Sequence, residues 1–149
     1  MNEDQTQIRQ LLGDLAEAIQ RKDAARAVAP YATTNVMYVL EPPLQSRTEG
    51  GTSAPGGGEA GVQAWFDTWD GPMGYDRRDV EIFAEGDLAF SYGLVHLTGT
   101  KVGGGAEDLW FRETLGFRRI DGEWRIVHQH QSVPFMMDGS SRAALDLKP

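Results

Sequence analysis

The run Glu113-Thr114-Leu115-Gly116-Phe117-Arg118-Arg119-Ile120-Asp121-Gly122-Glu123-Trp124-Arg125-Ile126-Val127-His128-Gln129-His130-Gln131-Ser132 carries the sharpest structural signal in the chain. Asp121-Gly122 reads as a two-residue hairpin turn between two β-rich arms. With Ile120 facing Glu123, Phe117 faces Ile126, Leu115 faces His128 and Glu113 faces His130. Cross-strand partners share a face of the sheet, and so do alternate residues along one strand. One face is then expected to carry Phe111, Glu113, Leu115, Phe117, Trp124, Ile126, His128, His130 and Ser132. Its inner part is apolar and its far end polar, as a cavity with a greasy end and a chemical end requires.

Upstream of this hairpin the pattern stays β-rich. Val80–Ala84, Leu88–Lys101, Leu109–Arg119 and Trp124–Val133 read as strands separated by glycine-containing turns. Asn35–Leu40 reads as an earlier strand, ended by Glu41-Pro42-Pro43, because proline cannot donate to a ladder. Before it, Ile8, Leu11, Leu12, Leu15 and Ile19 form one helical stripe, with Asp4 and Gln7 as its capping box. Asp23 caps a second, short helix over Ala24–Ala29, stopped by Pro30. Val62, Trp65, Phe66 and Trp69 make a third stripe, closed by Gly71-Pro72, and Gly50–Gly61 before it reads as a mobile glycine loop. Helices first and long strands after make an α+β fold: a curved antiparallel sheet with the N-terminal helices on one face. Residues 1–136 form the domain and 137–149 a C-terminal tail.

The 149 residues fit one domain. Without cysteine, disulfide frameworks, zinc–thiolate centres and cysteine nucleophiles drop out. Fourteen Lys and Arg against 22 Asp and Glu leave a net charge of −8 with no basic cluster. Nucleic acid and anionic membranes are therefore not expected partners. No apolar run approaches the roughly 20 residues that cross a bilayer, and the N-terminus has no secretory signal pattern. A cytoplasmic location is expected.

Three histidines could move protons near neutral pH: His96, His128 and His130. His96 shares strand parity with Phe90, Tyr92, Leu94 and Thr98, which reads as the core side. Glu113 opposite His130 is the sharpest pair, since a carboxylate beside imidazole raises its basicity and fixes its tautomer. The same pair is also what an ordinary cross-strand ion pair looks like. Glu41 is a second candidate base at a strand end. Tyr38, Trp65, Phe66, Trp69, Tyr92, Phe111 and Leu115 are candidates to line a pocket for a small apolar or aromatic ligand, with Ser132 at its polar end. A His-x-His pair with Glu113 is too short a signal for a metal centre, and neither metal nor cofactor is assigned. Arg112, of opposite parity to Glu113, is expected on the outer face. No phosphate-binding loop or Gly-x-Ser-x-Gly elbow is present.

Across about residues 5–135 the chain resembles the SnoaL-like, ketosteroid-isomerase-like branch of the nuclear transport factor 2 superfamily. The carrying residues are the helical opening through Asp23, Tyr31-Ala32, Trp65-Phe66, Asp87-Leu88-Ala89-Phe90 and Gly122 to Ser132. The order Glu113-Thr114, Asp121-Gly122, Trp124, Val127-His128 and His130-x-Ser132 also resembles the association domain of calcium/calmodulin-dependent kinase II. The resemblance implies a cone-shaped, cystatin-like α+β barrel and a homodimer through the outer face of its sheet. It does not imply steroid isomerisation, because Leu15, Thr114 and Gly116 stand near the positions of the isomerase's oxyanion donors. Two functions stay open at this point. One is cofactor-free acid–base chemistry (isomerase, cyclase, dehydratase or hydrolase) on an apolar carbonyl-bearing metabolite through His128, His130, Glu113 and His96. The other is a non-catalytic dimeric ligand-binding or association module.

Overall fold

A computed structural model describes all of residues 1–149. Helices α1 (Glu3–Gln20) and α2 (Ala24–Val28) precede β1 (Tyr31–Tyr38), β2 (Ser46–Glu49) and β3 (Thr52–Ser53). Helix α3 (Gly58–Phe66) leads into four long strands: β4 (Trp69–Glu85), β5 (Leu88–Lys101), β6 (Ala106–Ile120) and β7 (Glu123–Ser132). They form one curved sheet in the order β3-β2-β1-β7-β6-β5-β4. All its pairings are antiparallel except β1 with β7, which run parallel. Connectivity permits the parallel pair, because β1 and β7 are joined only through the rest of the chain and no tight hairpin links them. The α+β class and the curved sheet expected from the sequence are observed, but the β1–β7 pair makes the sheet mixed rather than wholly antiparallel, and it stays open rather than closing into a barrel.

Helix α1 covers the concave face with Ile8, Leu12, Leu15, Ala18 and Ile19, all buried. They meet Val95, Leu115, Phe117 and Ile126, each at most 1% exposed, in one continuous core. The helix is also tied at both ends. Gln5 Nε2 donates to the Ile82 carbonyl and Gln20 Nε2 to the Tyr75 carbonyl, each at 2.9 Å. Arg119 Nη1 reaches Asp4 at 2.7 Å. The capping box falls on Asn2 and Gln5, earlier than Asp4 and Gln7, because Asn2 adopts the extended backbone of a cap. Asp4 then lies inside the first turn, free to hold Arg119.

Two other boundaries move. The glycine stretch is not one loop: Gly50 and Gly51, at φ +55° and +82°, make the two-residue turn joining β2 to β3. Helix α3 already starts at Gly58. It also stops before Trp69, where the Thr68 hydroxyl donates to the Trp65 carbonyl at 2.6 Å. Trp69 opens β4 instead, buried among the core side chains. The tail folds back on itself, with Phe135 bridged to Ala143 and Ala144 buried. No helix is long and apolar enough to cross a membrane.

Candidate functional site

The chemistry of the sheet turns on one extra residue. Pairing from the hairpin starts as expected, Ile120 with Glu123 through Phe117 with Ile126. The next pair is Gly116 with His128, so Val127 faces no residue on β6. This is a β-bulge, and beyond it every side chain of β7 changes face. Glu113 therefore faces Gln131, Thr114 faces His130, Leu115 faces Gln129 and Arg112 faces Ser132. The expected Glu113–His130 pair does not form.

On the concave face, Glu113 sits in a buried polar cluster under α1. Arg77, projecting from β4, donates Nε to Oε1 at 2.9 Å; the two side chains are 9% and 3% exposed. Oε2 accepts from Gln129 Nε2 at 2.9 Å, Gln131 Nε2 at 3.0 Å and the Tyr75 hydroxyl at 3.3 Å. Tyr31 donates its hydroxyl to Gln129 Oε1 at 2.8 Å, and Arg77 Nη1 donates to the Leu12 carbonyl at 2.9 Å. Four donors surround a carboxylate with about four acceptor sites, which leaves Glu113 poorly placed to ligate a metal. Its neighbour Arg77 keeps one buried donor, Nη2, without a partner.

The electrostatics follow from this geometry. Burial by itself would raise the Glu113 carboxyl, but the Arg77 charge and the Gln131 and Gln129 amides outweigh it and hold it below the ordinary glutamate value. Burial, reinforced by the Glu113 charge, pushes the Tyr31 and Tyr75 hydroxyls upward, so both remain proton donors. Glu113 is thus held ionised and hydrogen-bonded. Such a carboxylate is a weak general base. The crevice beside Arg77, bounded by Leu12, Val80, Ser91 and Gly93, has no room for a water-sized sphere.

The convex face holds what the sequence reading had placed in the pocket. His128 and His130 lie there, edge-on to the Tyr38 ring at 4.8 and 5.4 Å between centroids. His128 Nδ1 lies 2.8 Å from the Val36 carbonyl oxygen. His96 is on the same side of the sheet, stacked on Trp110 at 4.3 Å, its Nε2 2.6 Å from Asp108. The β5 parity is opposite to the one expected: Ala89, Ser91, Val95 and Leu97 are buried, while Phe90 and Tyr92 are 47% and 46% exposed. Only small and aliphatic side chains of β5 face inward, and its large rings go outward. Ser132 follows His130 to the convex side, and Glu41 is exposed beyond the end of β1. Arg112 is exposed on the outer face, as its parity required.

Of the expected site residues, Glu113, Trp65, Phe66, Trp69, Phe111 and Leu115 stay in or against the concave core. His96, His128, His130, Tyr38, Tyr92 and Ser132 do not join them. Tyr31, Tyr75, Arg77, Gln129 and Gln131 were missed. The alternating His128-Gln129-His130-Gln131 did contain the signal, since any strand putting the imidazoles on one face puts the amides on the other.

Comparison with known proteins agrees with this architecture. A protein of unknown function from Pseudomonas putida, described as nuclear transport factor 2-like, is 28% identical, with a TM-score of 0.82 over 97% of this chain and 95% of that one. A nuclear transport factor 2-like superfamily protein from Salmonella enterica is 16% identical, with a TM-score of 0.70 over 91% of this chain and 94% of its own. A hexachlorocyclohexane dehydrochlorinase from Novosphingobium barchaimii is 15% identical, with a TM-score of 0.67 over 86% and 84%. The last two show shared fold alone. No match is found among curated protein sequences. Residues 8–136 match the family model described as a SnoaL-like domain, and the chain belongs to that family.

Proposed function

We propose that this protein is a small-molecule-binding module whose ligand, apolar with one polar group, sits against the concave face of the sheet. The observation that carries this reading is the Glu113 carboxylate, buried in an apolar core and held by four donors from two strands, β4 and β7. Replacing such buried ion pairs by apolar residues is often neutral or stabilising, so their retention suits a recognition role better than a scaffolding one. Binding is favoured over proton transfer because no imidazole reaches Glu113 and its carboxyl is held below the ordinary range. Since the interior is closely packed, entry requires side chains at the rim of the concave face to move.

A direct test is an NMR titration of the protein with indane, a compact apolar probe. Binding to the concave face shifts the resonances of Phe111 and Gln131 while leaving Tyr38 and His130 unchanged. Shifts confined to Tyr38 and His130, or none at all, refute the reading.

A second role rests on a different observation. Phe83, Phe90 and Tyr92 stack on one another at 4.9 and 6.0 Å on the convex face, and all three are nearly half exposed. Large aromatic patches of this kind mark interaction surfaces. We propose a second copy of the chain as the occupant, giving a homodimer through the convex face. Sedimentation equilibrium tests this: a dimer is expected for the native protein and a monomer for Phe90→Glu. A native monomer refutes it.

A further inference from the structure

The hydrogen-bond directions in the concave cluster are forced, and they have a consequence for the ligand. A carboxylate only accepts, so the amides of Gln129 and Gln131 must both turn their Nε2 groups to Glu113. The orientation of each amide is therefore set by chemistry. Gln129 then offers only Oε1 to Tyr31, so the Tyr31 hydroxyl must donate to it and keeps only acceptor capacity. Tyr75 likewise spends its proton on Glu113. Every mobile proton in the cluster points inward.

What remains at the edge is an acceptor. Glu113, Gln129 and Tyr75 are buried, whereas Gln131 is half-buried. Gln131 Oε1 has no hydrogen-bond partner, while its Nε2 has two, Glu113 and the Tyr75 hydroxyl. The leftover donor of the cluster, Arg77 Nη2, is fully buried and faces no open space.

We propose that Gln131 determines the specificity of the concave site, and that it selects ligands donating a hydrogen bond, such as alcohols or N–H compounds, over ketones and carboxylates. The inference rests on the ligand-binding reading given above. A ketone or carboxylate brings only acceptors to an acceptor and leaves Gln131 Oε1 unpaired once water is displaced. An alcohol satisfies it. The buried charge of Glu113 thus acts at a distance, by fixing which end of an amide the ligand meets.

The test is a comparison of 2-indanol, 2-indanone and indane-2-carboxylate, titrated into the protein and followed by NMR. The alcohol is expected to bind about tenfold tighter than the other two, the cost of an unmet buried acceptor. In Gln131→Leu its affinity falls to that of the ketone. The proposal is overturned if 2-indanone or the carboxylate binds as tightly as 2-indanol to the native protein. It is equally overturned if the preference for the alcohol survives in Gln131→Leu. If none of the three shifts the Phe111 and Gln131 resonances, the ligand-binding reading falls and this inference with it. Should Gln131→Leu fail to fold, the order of the three probes on the native protein decides alone.

Discussion

The two faces of β5, β6 and β7 are made by the same backbone and obey different rules. On the concave face the polar side chains are few, and those at its centre are hydrogen-bonded to one another around Glu113. On the convex face Phe90, Tyr92, Trp110, His128 and His130 are partly or half exposed and meet mostly through ring contacts. The difference is one of solvent. Under α1 no water completes an unmet hydrogen bond, so nearly every polar group has a protein partner, Arg77 Nη2 being an exception. Outside, water serves, and side chains are free to be read by another molecule.

That contrast can be broken most severely at Glu113. Glu113→Leu leaves the buried Arg77 charge unpaired and is expected to lower unfolding stability by about 3–5 kcal/mol, measured by urea denaturation. The double variant Glu113→Leu/Arg77→Met should recover most of the loss, since it removes both charges together. If the double variant is as unstable as the single one, the ion pair is not the organising feature of the concave face.

Acid probes the same group without mutation. The folded-state Glu113 carboxyl lies below its unfolded value, so its stabilising contribution is complete above the unfolded pKa, roughly 4.3. It is lost as pH falls below that and through the folded value. The native protein should therefore lose stability in that range more steeply than Glu113→Gln. Parallel acid titrations monitored by circular dichroism would show it, and identical curves would count against the pairing.

Smaller effects sharpen the distinction. Tyr31→Phe removes the donor to Gln129 Oε1 and should cost about 1 kcal/mol. His130→Ala, on the exposed convex side, should change stability by no more than about 0.5 kcal/mol and leave indane binding at the concave face intact. A large stability loss for His130→Ala would mean that the two faces are less independent than their hydrogen bonding indicates.

Much of this architecture could be read before any coordinates. The stripe from Ile8 to Ile19, the Asp23 cap, the Asp121-Gly122 turn and the order of helices before strands all appear as expected. Each is a local property, decided within a turn or two of chain. The site was half legible. Glu113, Phe111 and Leu115 were found because burial follows parity on a regular strand, and β6 is regular; Trp65, Phe66 and Trp69 were found from their helical spacing. His128 and His130 were misplaced because β7 is not regular, and His96 because β5 turns its large rings outward. Arg77 and Tyr75 were missed because β4 carries its own register shifts, between Asp70 and Gly74 and between Arg78 and Glu81, which blur alternation.

Residue types and their periodicity alone determined the fold class, the family resemblance and the alternation of imidazole with amide along β7. Tertiary structure decided which of the two sets faces inward. An unbulged strand would place His128 and His130 beneath the helices, where each ring nitrogen would need a partner. The bulge at Val127 places Gln129 and Gln131 there instead, where their amides complete the shell around a carboxylate already held by Arg77. A side-chain period of two makes the choice all or nothing. Only long-range packing, by bringing Arg77 of β4 to Glu113 and Tyr31 of β1 to Gln129, makes one of the two registers the satisfied one.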